Sequence, residues 1–228
     1  MRLTLDDPPF AGRTGQGVIV AVLDSGIHAE HPHVGGIAGG FSLCDDVDDA
    51  VDRVGHGTAV AAAIRDLAPA VDLLAVKIFD RRLATNADVL AHAIEWSADK
   101  GAHLINLSLG TANAAHAERL TAALDYATAR GSLVVSAFEA NGTPLLPGSL
   151  PTVVGVLADW SLEREVIDAT PRDGGASSFS ASPYPRPIPG VARERNLAGV
   201  SFAVANVTGF LARAIVSGEM AEIVYGRP

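Results

Sequence analysis

Cysteine, aromatic residues and positive charge are all scarce in this chain, and each shortage narrows what it can be. A single cysteine, Cys44, excludes an internal disulfide and agrees with a reducing compartment. Lysine and arginine number 17 against 26 aspartates and glutamates, a net charge of −9, which argues against nucleic acid or an anionic membrane surface as a partner. There is no uninterrupted apolar run of the roughly 18 residues a membrane span needs, and even the apolar stretch at 201–217 carries Asn206 and Arg213. Residues Met1 to Pro9 contain Asp6 and Asp7 and no hydrophobic signal region, so a cytoplasmic location is expected.

What is present points to one α/β domain. At 228 residues, 48% of them hydrophobic, the chain can bury a substantial core, and no Pro/Gly/Ser-rich linker divides it. We expect one domain over 1–228, with 1–15 as an N-terminal extension. Short apolar or β-branched runs at 18–23, 72–77, 103–107, 132–137 and 152–157 read as strands. Helical patterns fall at about 57–66, 86–99, 115–130 and 201–217. This alternation predicts right-handed crossovers and a parallel β-sheet sandwiched between helices in three layers. Residues 158–198, with Pro183, Pro185, Pro187 and Pro189 close together, predict an irregular or hairpin-containing excursion.

Three runs carry chemistry. Ala21-Val22-Leu23-Asp24-Ser25-Gly26 ends an apolar strand on a carboxylate, at the sheet edge where functional groups gather. Gly55-His56-Gly57-Thr58 sets a histidine at the start of an alanine-rich helix. Gly199-Val200-Ser201-Phe202-Ala203 sets a serine at a helix start, where backbone N–H groups and the dipole favour a developing negative charge. Taken singly, each is an ordinary strand-end or helix-capping residue. Together, Asp24, His56 and Ser201 form a set able to orient a histidine, make it a base and use a hydroxyl as nucleophile.

With these runs the chain resembles the subtilisin-like serine protease (subtilase) family, whose triad has the same order, Asp…His…Ser. Further segments match in order: Leu67-Ala68-Pro69 with Leu74-Ala75-Val76-Lys77, then Ile94-Glu95-Trp96, Ile105-Asn106-Leu107-Ser108-Leu109-Gly110, and Pro147-Gly148-Ser149-Leu150-Pro151 with Val153-Val154-Gly155-Val156. The resemblance implies a subtilisin-like fold and a serine endopeptidase working through an acyl-enzyme, without a cofactor, on a peptide or protein substrate. An intracellular peptide precursor is the substrate expected. It also implies that Ser108, Leu109 and Gly110 offer a strand edge to the substrate, that Leu83, Ala84 and Thr85 form the opposing edge, and that Ala87 and Leu90 line an apolar pocket.

The run Phe138-Glu139-Ala140-Asn141-Gly142 departs from the family pattern, which has Ala-Gly-Asn and an asparagine donor to the oxyanion. An ungapped match puts Ala140 at the donor position; a one-residue slip gives Asn141, the donor expected here, although Asn-Gly also suits a turn. This departure motivates an alternative, a catalytically impaired subtilase that binds peptides.

Other patterns carry less. The acidic cluster Asp45, Asp46, Asp48, Asp49 and Asp52 lacks the spacing of a calcium loop, and His28, His31 and His33 lack a completing Cys or Glu, so no metal is expected. Gly15-Gln16-Gly17 precedes its strand, whereas a phosphate-cradling loop follows one.

Overall fold

The computed structural model describes all residues except 45–46, 82–83, 216–217 and 227–228. In chain order the strands are β1 (Arg2–Thr4), β2 (Ile19–Asp24), β3 (Gly39–Ser42), β4 (Asp72–Lys77), β5 (Leu104–Leu107), β6 (Leu133–Ala137), β7 (Glu139–Ala140), β8 (Thr143–Pro144), β9 (Val154–Ala158), β10 (Val166–Thr170) and β11 (Ser178–Ala181). The helices are α1 (His56–Leu67), α2 (Ala87–Asp99), α3 (Ala117–Thr128), α4 (Val200–Ile215) and α5 (Met220–Tyr225).

Nine strands form one sheet in the order β1-β10-β11-β9-β6-β5-β2-β4-β3. From β3 to β11 every pairing is parallel; β10 and β1 are antiparallel additions at one edge. The reason lies in the central strands, which are apolar on both faces because helices cover both. Val20 and Val22 of β2, Leu73 and Ala75 of β4, and Val135 of β6 pack into one core layer with α1 and α4. Their neighbours Ala21, Leu23, Leu74, Val76 and Val134 pack into the other with α2 and α3. Side chains alternate across the sheet, so each strand feeds two cores at once.

The excursion between β9 and α4 becomes the β10–β11 hairpin, and β11 then returns parallel to β9. Buried Arg164 secures this segment: it donates to Asp66 of α1 (2.6 Å), to the Ala63 carbonyl (3.2 Å) and to Asn206 Oδ1 of α4 (3.2 Å). Asn206 Nδ2 donates in turn to the carbonyls of Ser182 and Tyr184. Among the described residues no helix is long and apolar enough to cross a membrane.

Candidate active site

The parallel strands share one carboxyl edge, where Asp24 meets His56 and where the Ser108 carbonyl meets Ser201. Asp24 is the last residue of β2 and almost fully buried. His56 opens α1, and its Nδ1 lies 2.8 and 2.9 Å from the two Asp24 oxygens. Glycine makes this approach possible. A Cβ at Gly57 would run into the Gly26 carbonyl oxygen and stand 3.1 Å from Asp24 Cβ, so any side chain there would force α1 away from β2.

A hydrogen-bonded loop holds the pair. Asp52, 8% exposed, accepts five bonds: from Ser25 Oγ (2.8 Å), the N–H groups of Val54 (2.9 Å), Gly55 (2.8 Å) and Thr58 (2.9 Å), and Thr58 Oγ1 (2.6 Å). Burial raises its pKa, but the bonds from Thr58, Gly55 and Val54 outweigh that and hold it below the ordinary carboxylate value. Ser25 Oγ also receives the Gly57 N–H (3.0 Å), linking strand end, loop and helix start. Beside them Lys77, fully buried at the end of β4, donates to the carbonyls of Ser25 (3.1 Å) and Val51 (2.8 Å) and pairs with Asp80 at 2.6 Å.

For His56, burial pulls the pKa down. The hydrogen bond and charge of Asp24, with the charge of Asp52, more than offset it, and the net shift is upward. This suits a base that must hold a proton while a bond breaks.

Ser201 lies in the first turn of α4, and its hydroxyl donates to the Ser108 carbonyl (3.2 Å), just beyond β5. The ring of the next residue, Phe202, is 5.9 Å from the His56 ring, so the first turn of α4 lies beside the histidine. Behind the serine runs a polar chain: Thr208 Oγ1 donates to Asn106 Oδ1 (2.9 Å), and Asn106 Nδ2 donates to Ser108 Oγ (3.1 Å). Asn106, fully buried in an otherwise apolar strand, thereby ties α4 to the strand end that meets Ser201. The sequence signal was present as the polar residue inside Leu-Ile-Asn-Leu. Its role needed the partner on α4.

The other expected residues are placed as follows. Leu109 and Gly110 continue from Ser108 and are half-buried. Ala84 and Thr85 line a cavity of about 660 Å³ with Ile78, Phe79 and Val89. Leu83 lies outside the described residues. Leu90 is buried in the core layer under α2, and Ala87 is half-buried at the start of that helix. Asn141 and Gly142 form the exposed tip of the β7–β8 hairpin, both with positive φ (52° and 76°), the geometry of a two-residue hairpin turn. Of the acidic cluster, Asp45 and Asp46 lie outside the described residues and Asp49 is bound by Arg53. His28, His31 and His33 line a cavity of about 420 Å³ with Thr58, Ile188 and Leu197, and no group of three or more metal-ligating side chains is found among the described residues.

Comparison with known proteins agrees with this architecture. A profile of the subtilase family matches residues 15–158, which take in Asp24 and His56 and stop before Ser201. Subtilisin BL from Lederbergia lenta is 34% identical over 95% of this chain and 80% of its own length. A thermophilic serine proteinase from Bacillus sp. (strain AK1) is 36% identical over 67% of this chain, but that match spans only 40% of the proteinase. Subtilisin Savinase, also from Lederbergia lenta, is matched over 51% of its length. In fold, the chain is similar to a crystal structure of a lanthipeptide protease, with a TM-score of 0.72 over 91% of this chain and 76% of that one, at 21% identity. The chain belongs to the subtilase family.

Proposed function

We propose that this chain is a serine endopeptidase in which Asp24, His56 and Ser201 act as the catalytic triad. The observation that carries the reading is the contact of His56 Nδ1 with both oxygens of buried Asp24, at the strand edge where α4 delivers Ser201. Asp24 fixes the tautomer so that Nε2 is the basic nitrogen. His56 takes the Ser201 proton as the oxygen attacks the peptide carbonyl, then passes it to the leaving amine, and water releases the acyl group by the reverse sequence.

In the free protein the Ser201 hydroxyl is spent on the Ser108 carbonyl. A peptide added as an extended strand along Ser108–Gly110 brings its own N–H to that acceptor, which frees the hydroxyl to turn to His56. Ground-state binding and nucleophile activation are thus coupled. Backbone N–H groups at the start of α4 hold the oxyanion in this reading. Asn141, expected from the sequence as a side-chain donor, joins them only if the hairpin tip reaches the site, and its turn geometry supports the competing role. The substrate proposed is a peptide precursor in the cytoplasm. The absence of a second cysteine and the acidic charge are compatible with that setting.

The alternative reading, a peptide-binding subtilase with little activity, is favoured by the exposed position of Asn141. Mass-spectrometric profiling of a peptide library decides between them. The proposal expects cleavage by the parent and none by Ser201→Ala or His56→Ala variants that retain the parent melting temperature; peptide capture without cleavage by the parent establishes the alternative.

A further inference from the structure

The side chain of the residue whose carbonyl meets Ser201 must go somewhere. Ser108–Gly110 continues β5 and Phe138 continues the neighbouring β6, so in this reading the side chain enters between these two segments. The β5–β6 pairing runs up to Leu107 and Ser136 and ends there, with Ser136 Oγ donating to the Leu109 carbonyl (3.3 Å). In this chain the space between the two segments is not left open.

The eight residues Phe138–Leu145 fold straight back as the β7–β8 hairpin, with Leu145 N–H bonded to the Phe138 carbonyl (2.9 Å). The next residue, Leu146, forms an antiparallel bridge with Thr111, its N–H and carbonyl both engaged (2.8 and 2.9 Å). Leu145 is therefore pinned between the two walls. A Cβ built on Gly110 would stand 2.9 Å from Leu145 Cβ and 3.4 Å from its Cδ1, so the space over Gly110 is already filled by the leucine. Leu145 is half-buried and packs on the core layer beneath, which keeps it from swinging aside.

Resting on the proposed function, we infer that Leu145 caps the primary pocket and restricts the residue before the cleaved bond to glycine or alanine. A benzyl or isobutyl group there would have to displace a packed leucine held from both sides by backbone hydrogen bonds. The hairpin that holds Leu145 sets this limit; Gly110 accommodates Leu145 and leaves no depth of its own.

The test uses peptidyl phosphonate esters that differ only in the reacting residue (Gly, Ala, Leu, Phe), beside a small alkyl fluorophosphonate that has no side chain to place. Labelling of the parent at Ser201 should be about a hundredfold or more slower for the phenylalanine than for the alanine reagent, as methylene-scale differences in a tight pocket already give tens to hundreds. Leu145→Gly and Leu145→Ala should recover most of the phenylalanine rate while leaving the fluorophosphonate rate within a few-fold of the parent. Equal rates for alanine and phenylalanine reagents in the parent, with normal fluorophosphonate labelling, overturn the inference and leave the triad standing. Absence of labelling by every reagent overturns the triad and the inference together.

Discussion

Asp52→Asn is the most informative single change outside the proposed triad. The parent carboxylate accepts five hydrogen bonds, two of them from a threonine that also belongs to α1. An amide offers one acceptor oxygen, and its NH2 must face donors, either the N–H groups of Val54 and Gly55 or the N–H and hydroxyl of Thr58. In the better orientation the Thr58 hydroxyl rotates to accept from the new NH2, and one buried donor, the Thr58 N–H, is left unsatisfied, at a cost of about 1.5–3 kcal/mol for a bond to a charged acceptor. For a chain of this size that is a fall in Tm of about 3–12 °C at neutral pH.

The pH dependence adds a second check. Because the folded-state pKa of Asp52 is depressed, its contribution is complete above the unfolded value of 3.8 and disappears as pH falls through the lower folded value. The gap in Tm between parent and variant should therefore hold at neutral pH and narrow below about pH 4. The variant should also lose part of the upward shift of His56, to which the Asp52 charge contributes, so the acid limb of its activity profile should move to lower pH than the parent's. Differential scanning calorimetry across pH measures the first effect and peptide hydrolysis the second. A Tm within about a degree of the parent at pH 7 would refute the assigned role of this carboxylate.

Three further outcomes follow from the same geometry. Asp24→Asn should cut turnover by about ten-thousandfold, the loss typical when a triad carboxylate becomes an amide and the histidine tautomer is wrong, with Ser201 still at its place; steady-state kinetics against the parent checks this. Gly57→Ala should both lower Tm and reduce activity, because the new methyl collides with the Gly26 carbonyl and lifts His56 off Asp24; a variant with parental kinetics would contradict the close approach. Asn141→Leu should reduce turnover by about a hundredfold with little change in KM if that side chain reaches the oxyanion, whereas a change of only a few-fold assigns it to the turn alone.

The parallel part of the fold was legible because it is local in the chain. β2, β4, β5 and β6 each announce themselves as apolar runs of the right length, and the helices between them carry an apolar stripe. Of the antiparallel edge only the hairpin-containing excursion was legible: Arg2–Thr4 and Val166–Thr170 become strands through each other and through β11, and nothing within either segment states that partner. Asp24, His56 and Ser201 could be picked out as candidates only jointly, by their order and flanking residues, since each alone reads as an ordinary strand-end or helix-capping residue. Lys77, Asp52 and Ser25 could not be assigned, since a lysine ending a strand or an aspartate in an acidic loop looks solvated until the loop closes over it. Asp52 in particular stood among five acidic residues, yet its carboxylate turns inward to the helix start rather than outward to an ion. For Asn141 the Asn-Gly pair carried a turn signal and a donor signal at once, and the backbone with positive φ at both residues takes up the turn.

The measurement that bears most directly on the central claim is the intact mass of the protein after exposure to a small fluorophosphonate, followed by peptide mapping. The account predicts one adduct per chain, located on Ser201, absent in Ser201→Ala and strongly slowed in His56→Ala and Asp24→Asn. A parent protein that keeps its native Tm and remains unmodified, or one that is modified at a different serine, would contradict it.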